Sequence, residues 1–252
     1  METRLLGAHN LETRDTRHTC FLVDGILGID AGSLVTGLTT HELENIRALL
    51  LTHHHFDHTR DVPTLGLIRR DTPATAQIYG LPETLDGVRS HLMDGDVYPD
   101  LSEELNNDPP RFNMKATKAW STFRVEGYDV KVIPVPHPVP IIRSSTGESI
   151  AFTGDTGGDL LPFFRDAWAP RTICVDVTFP DRLKELAIIT GHLTPGLLHD
   201  QLAAGLAEGL TLPKVVAVHR GLGNEAELLR ELAHVKAELG VQLVPGYQGM
   251  VL

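Results

Sequence analysis

The sequence predicts an α/β chain in which two sheets are flanked by helices, a four-layer αββα sandwich. Two patterns predict it. Short strand-like runs joined by turn signals occupy the opening and the middle of the chain, and from residue 171 onward strands alternate with helical stretches. A third observation says where chemistry would sit. Side chains able to bind metal fall at the ends of predicted strands, most densely in the stretch 51–61, which reads Leu-Thr-His-His-His-Phe-Asp-His-Thr-Arg-Asp.

The first strands are expected at 4–7, 20–23 and 26–30, the last two joined by Asp24-Gly25, a strong hairpin signal. The polar stretch 8–19 between the first two reads as a loop. Thr39 and Glu42 have capping-box spacing, and Leu43, Ile46 and Leu50 follow at helical intervals, so a helix should lead toward the apolar strand that ends at Thr52. A strand is expected at 76–79 and a helix from Pro82 to about Met93, with proline at its start. The stretch 94–119 is rich in Asp, Asn and Pro and reads as a lid or pocket wall. Strands resume at 122–125 and 128–135, and a hairpin follows with its turn at Thr146-Gly147 and its second strand at 149–153. The rest alternates: strand 171–177, helix from Thr194-Pro195 to about Leu210, strand 214–218, helix 224–239 and strand 241–244.

With 252 residues, 42% hydrophobic and 22% charged, the chain has ample core for one compact domain spanning 1–252. Its formal net charge is −11 and no Lys/Arg run could track a phosphate backbone, so a large nucleic acid is a poor partner whereas a small anionic substrate is compatible. The N-terminus shows no export signal and no apolar run approaches membrane-spanning length, so a cytoplasmic protein with no membrane partner is expected, compatible with a homodimer. Cys20 and Cys174 sit in apolar strand-like segments and read as buried, inert thiols.

Within the stretch 51–61 the ligand types fall as His53-x-His55-x-Asp57-His58 directly after an apolar strand. Imidazole nitrogen and carboxylate oxygen suit zinc and neighbouring divalent ions, and a loop leaving a strand can aim alternate side chains at different ions. A polar loop that binds metal adventitiously is the alternative. It loses weight because His137, Asp155 and His219 also end predicted strands and would converge on one sheet edge. His54 lies between two ligand positions and should point the opposite way. His9 and His18 are expected in a charged surface loop, and His41, His91 and His199 on helices.

In this order of motifs the chain resembles the metallo-β-lactamase superfamily: strands ending in Ile29-Asp30-Ala31-Gly32, then the His53-to-His58 cluster, His137, Thr153-Gly154-Asp155 and His219. The resemblance covers essentially the whole chain and implies the metallo-β-lactamase fold with two divalent metal ions, zinc first and manganese or iron as alternatives. It implies that His53, His55 and His137 hold one ion, that Asp57, His58 and His219 hold the other, and that Asp155 bridges them.

Val175-Asp176-Val177-Thr178-Phe179 and Gly191-His192-Leu193-Thr194-Pro195 are similar to the branch of tRNA 3′-processing endonucleases and class II cyclic-nucleotide phosphodiesterases. This resemblance implies proton transfer by His192 paired with Asp176, so that His192, Asp176 and Asp57 are the expected catalytic groups, with a metal-bridging hydroxide as nucleophile. Two departures stand out: Asp176 occupies a position where glutamate is expected, and Asp61 one where the phosphodiesterase pattern has glycine. The tRNA-processing members carry a long arm between the positions of His137 and Asp155, and 138–154 leaves room for one hairpin only. The expected activity is therefore hydrolysis of a small phosphodiester such as a cyclic nucleotide. Carboxylic ester, lactone or thioester hydrolysis is the alternative, followed by tRNA 3′ processing and by metal binding without turnover.

Overall fold

Short apolar runs, separated by Gly- and Asp-containing turns, form two mixed sheets, one in each of two units into which the chain divides. The computed structural model describes residues 1–69, 72, 74–104, 108–133 and 139–252.

The first unit comprises Met1–Gly7, Thr13–Lys118 and Gln248–Leu252. Its sheet contains β1 (Thr3–Gly7), β2 (Cys20–Val23), β3 (Leu27–Ile29), β4 (Ala48–Leu50), β5 (Ala76–Gly80) and β6 (Phe112–Ala116), side by side in chain order. The pairs β1–β2 and β2–β3 are antiparallel. Asp24 and Gly25 both take positive φ in the β2–β3 turn (45° and 73°), as the dipeptide predicts. From β3 onward the pairing is parallel, and each parallel step needs a crossover. The crossovers carry α1 (Leu34–Gly37) and α2 (Thr40–Glu44), then α3 (Phe56–Thr59) and α4 (Val62–Ile68), then α5 (Pro82–Leu92). Leu22, Leu49, Ile78 and Phe112 of the strands pack with Leu34, Leu43, Leu65 and Val88 of these helices.

The capping box is present as read, with the Thr39 hydroxyl accepting from the Glu42 N–H and Glu42 accepting from the Thr39 N–H, but the helix it starts is a single turn that ends at Glu44. Leu50, which continues the helical spacing, belongs to β4. The stretch 94–119, read as a lid or wall, contributes the edge strand β6.

The second unit comprises Ala8–Glu12 and Ala119–Tyr247. Its strands are β7 (Thr122–Val125), β8 (Tyr128–Ile133), β9 (Val139–Arg143), β10 (Ser149–Phe152), β11 (Thr172–Asp176), β12 (Lys214–Val218) and β13 (Leu243–Pro245), again in chain order. β7 to β10 form an antiparallel meander, and β10 to β13 are parallel. Helices α6 (Leu161–Phe164), α7 (Lys184–Thr190), α8 (Pro195–Ala207) and α9 (Glu225–Leu239) accompany the parallel half. Ile141, Ile173 and Val215 pack with Phe163, Leu198, Leu202 and Leu228. Cys20 and Cys174 are buried free thiols, and burial pushes both of them up. Among the described residues no helix is long and apolar enough to cross a membrane.

Candidate metal centre

Each sheet delivers ligand-type side chains at the carboxyl ends of its parallel strands, the edge at which open α/β sheets commonly bind ligands. In the first unit Asp30 follows β3 and Thr52-His53 follow β4. Asp30 is buried, with φ of 57° in the left-handed region, and its carboxylate gathers three groups. It accepts the Thr52 N–H (2.8 Å), the Thr52 hydroxyl (3.0 Å) and His58 Nδ1–H (2.7 Å). The Thr52 hydroxyl has one proton, and the anionic carboxylate is its stronger acceptor. His53 Nδ1, 3.0 Å from the same hydroxyl, is therefore the donor of that contact. Both imidazoles thus donate from Nδ1, which makes Nε2 the ring atom available to a metal.

The His53 ring lies 4.4 Å from that of His55 and 4.2 Å from that of His58, centroid to centroid. Asp57 Oδ2 is 3.6 Å from His58 Nε2. The loop follows this path because Gly32 has no side chain: a Cβ there would lie 1.8 Å from the Asp57 carbonyl oxygen. Ala31 N–H to His58 O (2.6 Å) and Asp61 N–H to Ala31 O (3.0 Å) close the contact. Asp61 in turn accepts the Val35 N–H in the first turn of α1 (2.8 Å), so the residue that departs from the phosphodiesterase pattern braces the helix after Gly32. His54 is exposed and sits against α5, where a Cβ on Gly87 would touch its ring.

In the second unit Asp155 follows β10, Asp176 ends β11 and His219 follows β12. All three are buried, and His219 takes a left-handed φ of 60°. His192 follows the left-handed C-cap Gly191 of α7, and its N–H is held by the Ala187 carbonyl at 2.8 Å. Asp176 Oδ2 accepts His192 Nδ1–H at 2.7 Å, so the aspartate reaches its partner despite having one methylene fewer than glutamate. Asp155 Oδ1 is 3.2 Å from His219 Nε2, and the His192 and His219 rings stack at 5.2 Å. Asp155, Asp176, His192 and His219 each offer a ligand atom, all within 4.8 Å of one another. Burial pushes His192 down, but its hydrogen bond to Asp176 and the charges of Asp176 and Asp155 outweigh this and hold it above its usual value.

His137 lies outside the described residues. His9, expected in a charged surface loop, is instead buried in the second unit, 2.9 Å from Glu225 and bridged through the backbone to Arg220.

The residues present fit divalent cations. The Nδ1 atoms of His53, His58, His192 and His219 are tied to carboxylate or hydroxyl oxygens, which is how ligating histidines are held with Nε2 toward a metal. Three supporting groups carry no role in the sequence reading: Asp30, Thr52 and Thr178. Thr178 had a signal: it stands two residues after Asp176 in extended chain, which puts the two side chains on one face.

No curated protein matches the chain by sequence. In structure it is similar to unliganded yeast PDE1 (TM-score 0.77, 18% identity, 100% of this chain and 98% of that one). It is also similar to the metallo-β-lactamase fold protein YhfI of Bacillus subtilis (0.72, 13%, 100% and 98%) and to the short form of human tRNase Z (0.67, 17%, 100% and 98%). These likenesses establish the metallo-β-lactamase fold, an α/β sandwich with two mixed sheets and flanking helices. The family model of the β-lactamase superfamily domain matches residues 19–220, and the chain therefore belongs to the β-lactamase superfamily, whose metallo-β-lactamase-fold members are generally metal-dependent hydrolases.

Proposed function

We propose that the chain is a dinuclear metal-dependent phosphodiesterase acting on a small diester such as a cyclic nucleotide. In this reading His53, His55 and His137 hold one ion, Asp57, His58 and His219 the other, and Asp155 both, the ions being zinc, manganese or iron. Two divalent cations, when bound, supply Lewis acidity toward a phosphoryl oxygen and lower the pKa of a coordinated water to about 7.

The observation that carries the reading is the His192–Asp176 pair. Expelling an alkoxide from phosphorus requires a proton at the departing oxygen, a step that acyl transfer from a good leaving group does not share. His192 meets the requirement. Asp176 fixes its proton on Nδ1 and stabilises the imidazolium, so the cation keeps a second N–H on Nε2 to give to the leaving oxygen. The small-substrate half of the proposal is supported by the hairpin of β9 and β10, paired in register from Ile141–Ala151 to Arg143–Ser149, in the interval where tRNA-processing members carry an arm. The net charge of −11 also disfavours a polyanion.

The test is to purify the protein, count bound metal, and compare hydrolysis of bis(p-nitrophenyl) phosphate, 2′,3′- and 3′,5′-cyclic nucleotides, a lactone and a thioester with and without added Zn²⁺ or Mn²⁺. Phosphodiester turnover is expected to dominate; acyl turnover with none on phosphodiesters would sink the proposal. His192→Ala should keep two bound metals while turnover falls by about 10²–10⁴-fold. A lost metal would make His192 a ligand instead.

A further inference from the structure

Beside the acid–base pair, the second unit holds a connection that the pair alone does not require. Asp176 is fully buried, and its two carboxylate oxygens face different imidazoles. Oδ2 takes His192 directly at 2.7 Å. Oδ1 lies 3.6 Å from His219 Nδ1, too far for a hydrogen bond, and the Thr178 hydroxyl fills the gap at 2.5 Å from Asp176 Oδ1 and 2.8 Å from His219 Nδ1. The hydroxyl is also 2.9 Å from the His219 carbonyl, but its single proton goes to the anionic oxygen at the shorter distance. His219 Nδ1 must then be the donor to Thr178 Oγ1, which makes Nε2, 3.2 Å from Asp155 Oδ1, the ring atom that faces the candidate metal position.

The backbone supports the same contact. Gly221 N–H donates to the Thr178 carbonyl at 3.0 Å, and a Cβ on Gly221 would stand 2.8 Å from that oxygen, so the turn that carries His219 at φ 60° is drawn tightly onto Thr178. The first unit repeats the arrangement with different wiring. Asp30 takes His58 directly, and the Thr52 hydroxyl lies between Asp30 and His53.

We propose that Thr178 is a positioning residue: its hydroxyl relays the Asp176 carboxylate to His219, fixes the Nδ1–H tautomer there, and so makes one buried carboxylate set both the proton donor His192 and one metal position. The metal half of this rests on the reading of His219 as a ligand; the tautomer half does not.

The test begins on metal-stripped wild-type protein, with the imidazole protons located by long-range ¹H–¹⁵N correlation and the His219 signals assigned by their loss in His219→Ala. His219 is expected to carry a proton on Nδ1; an Nδ1 without a proton overturns the proposal, and this arm needs no Thr178 variant to fold. Thr178→Val, which has no acceptor, should shift His219 toward the Nε2–H tautomer and weaken one of two metal-binding steps by about 10–100-fold. Thr178→Ser should restore both. Unchanged metal affinity in Thr178→Val, with His219→Ala losing one metal, refutes the relay. If His219→Ala binds two metals like wild type, the ligand reading itself falls, and the metal half of the proposal with it.

Discussion

At the scale of single residues, Asp176 and His192 should be separable. His192 is tied to one oxygen of Asp176, and the Thr178 hydroxyl to the other. Asparagine at 176 retains one acceptor oxygen and replaces the other with a donor, so it cannot receive both an imidazole N–H and a hydroxyl. Asp176→Asn is therefore expected to lower turnover by about 10²–10⁴-fold, as His192→Ala does, and also to weaken one metal by about 10–100-fold, which His192→Ala does not. Parallel metal titration and steady-state kinetics on the two variants measure this; identical metal affinities would mean that Asp176 serves His192 alone. These roles were legible to different degrees. Residue type and spacing in His53-x-His55-x-Asp57-His58 carry metal chemistry on their face. Thr52 carries no such mark, and the spacing of Thr178 from Asp176 marks only a shared face, because a threonine hydroxyl becomes a relay only when a buried carboxylate and an imidazole stand on either side of it, and that is a property of the fold.

At the scale of elements, what could be read depended on whether an element advertises itself locally. The Asp24-Gly25 hairpin, Pro82 at the start of α5, Thr194-Pro195 at the start of α8 and the Thr39–Glu42 box are local chemistry, and each begins where expected. Strand β6 alternates Phe112, Met114 and Ala116 with Asn113 and Lys115, but it is only five residues long, buries only Phe112 fully and lies at the edge of its sheet, so its signal is weak beside the Asp-, Asn- and Pro-rich residues that precede it. Helix α7 buries Ala187 while Leu186, Ile188 and Ile189 are exposed, the reverse of an amphipathic signal. The capping box offers a prediction at this scale. The Thr39 N–H bonded to Glu42, then Arg4 at 2.7 Å and the Thr39 hydroxyl, lower the Glu42 carboxyl from its usual 4.5 to about 2. A depressed carboxyl adds stability that is complete above its unfolded value and fades as pH falls toward the folded one. Wild type should thus be more stable than Glu42→Gln at pH 6, by no more than about 1 kcal/mol for so exposed a pair. The difference should shrink between pH 4.5 and 2, as read by urea unfolding at each pH. A gap that persists unchanged at pH 2 would show that the charge of Glu42 is not its source.

At the scale of the whole molecule, the ligands proposed for the two ions run from position 53 to position 219, so only a chain folded over that span can present them together. A cation that binds this set and not the unfolded chain stabilises by mass action, about 2.7 kcal/mol when free metal exceeds Kd a hundredfold. The carboxylates add to the effect. Asp155 is buried and Asp57 half-buried in a chain already at −11, and keeping carboxylates in such surroundings costs stability that a divalent cation offsets. Chelation should therefore lower the urea midpoint and the Tm together, and Zn²⁺ or Mn²⁺ should restore both in proportion to the logarithm of its free concentration, whereas Na⁺ at equal ionic strength should not. The same titration on His53→Ala and His219→Ala, one from each unit, should show a smaller gain for both. A midpoint that metal leaves unmoved in wild type would mean that no high-affinity site is assembled by folding, and the dinuclear reading would fall before any substrate was tried.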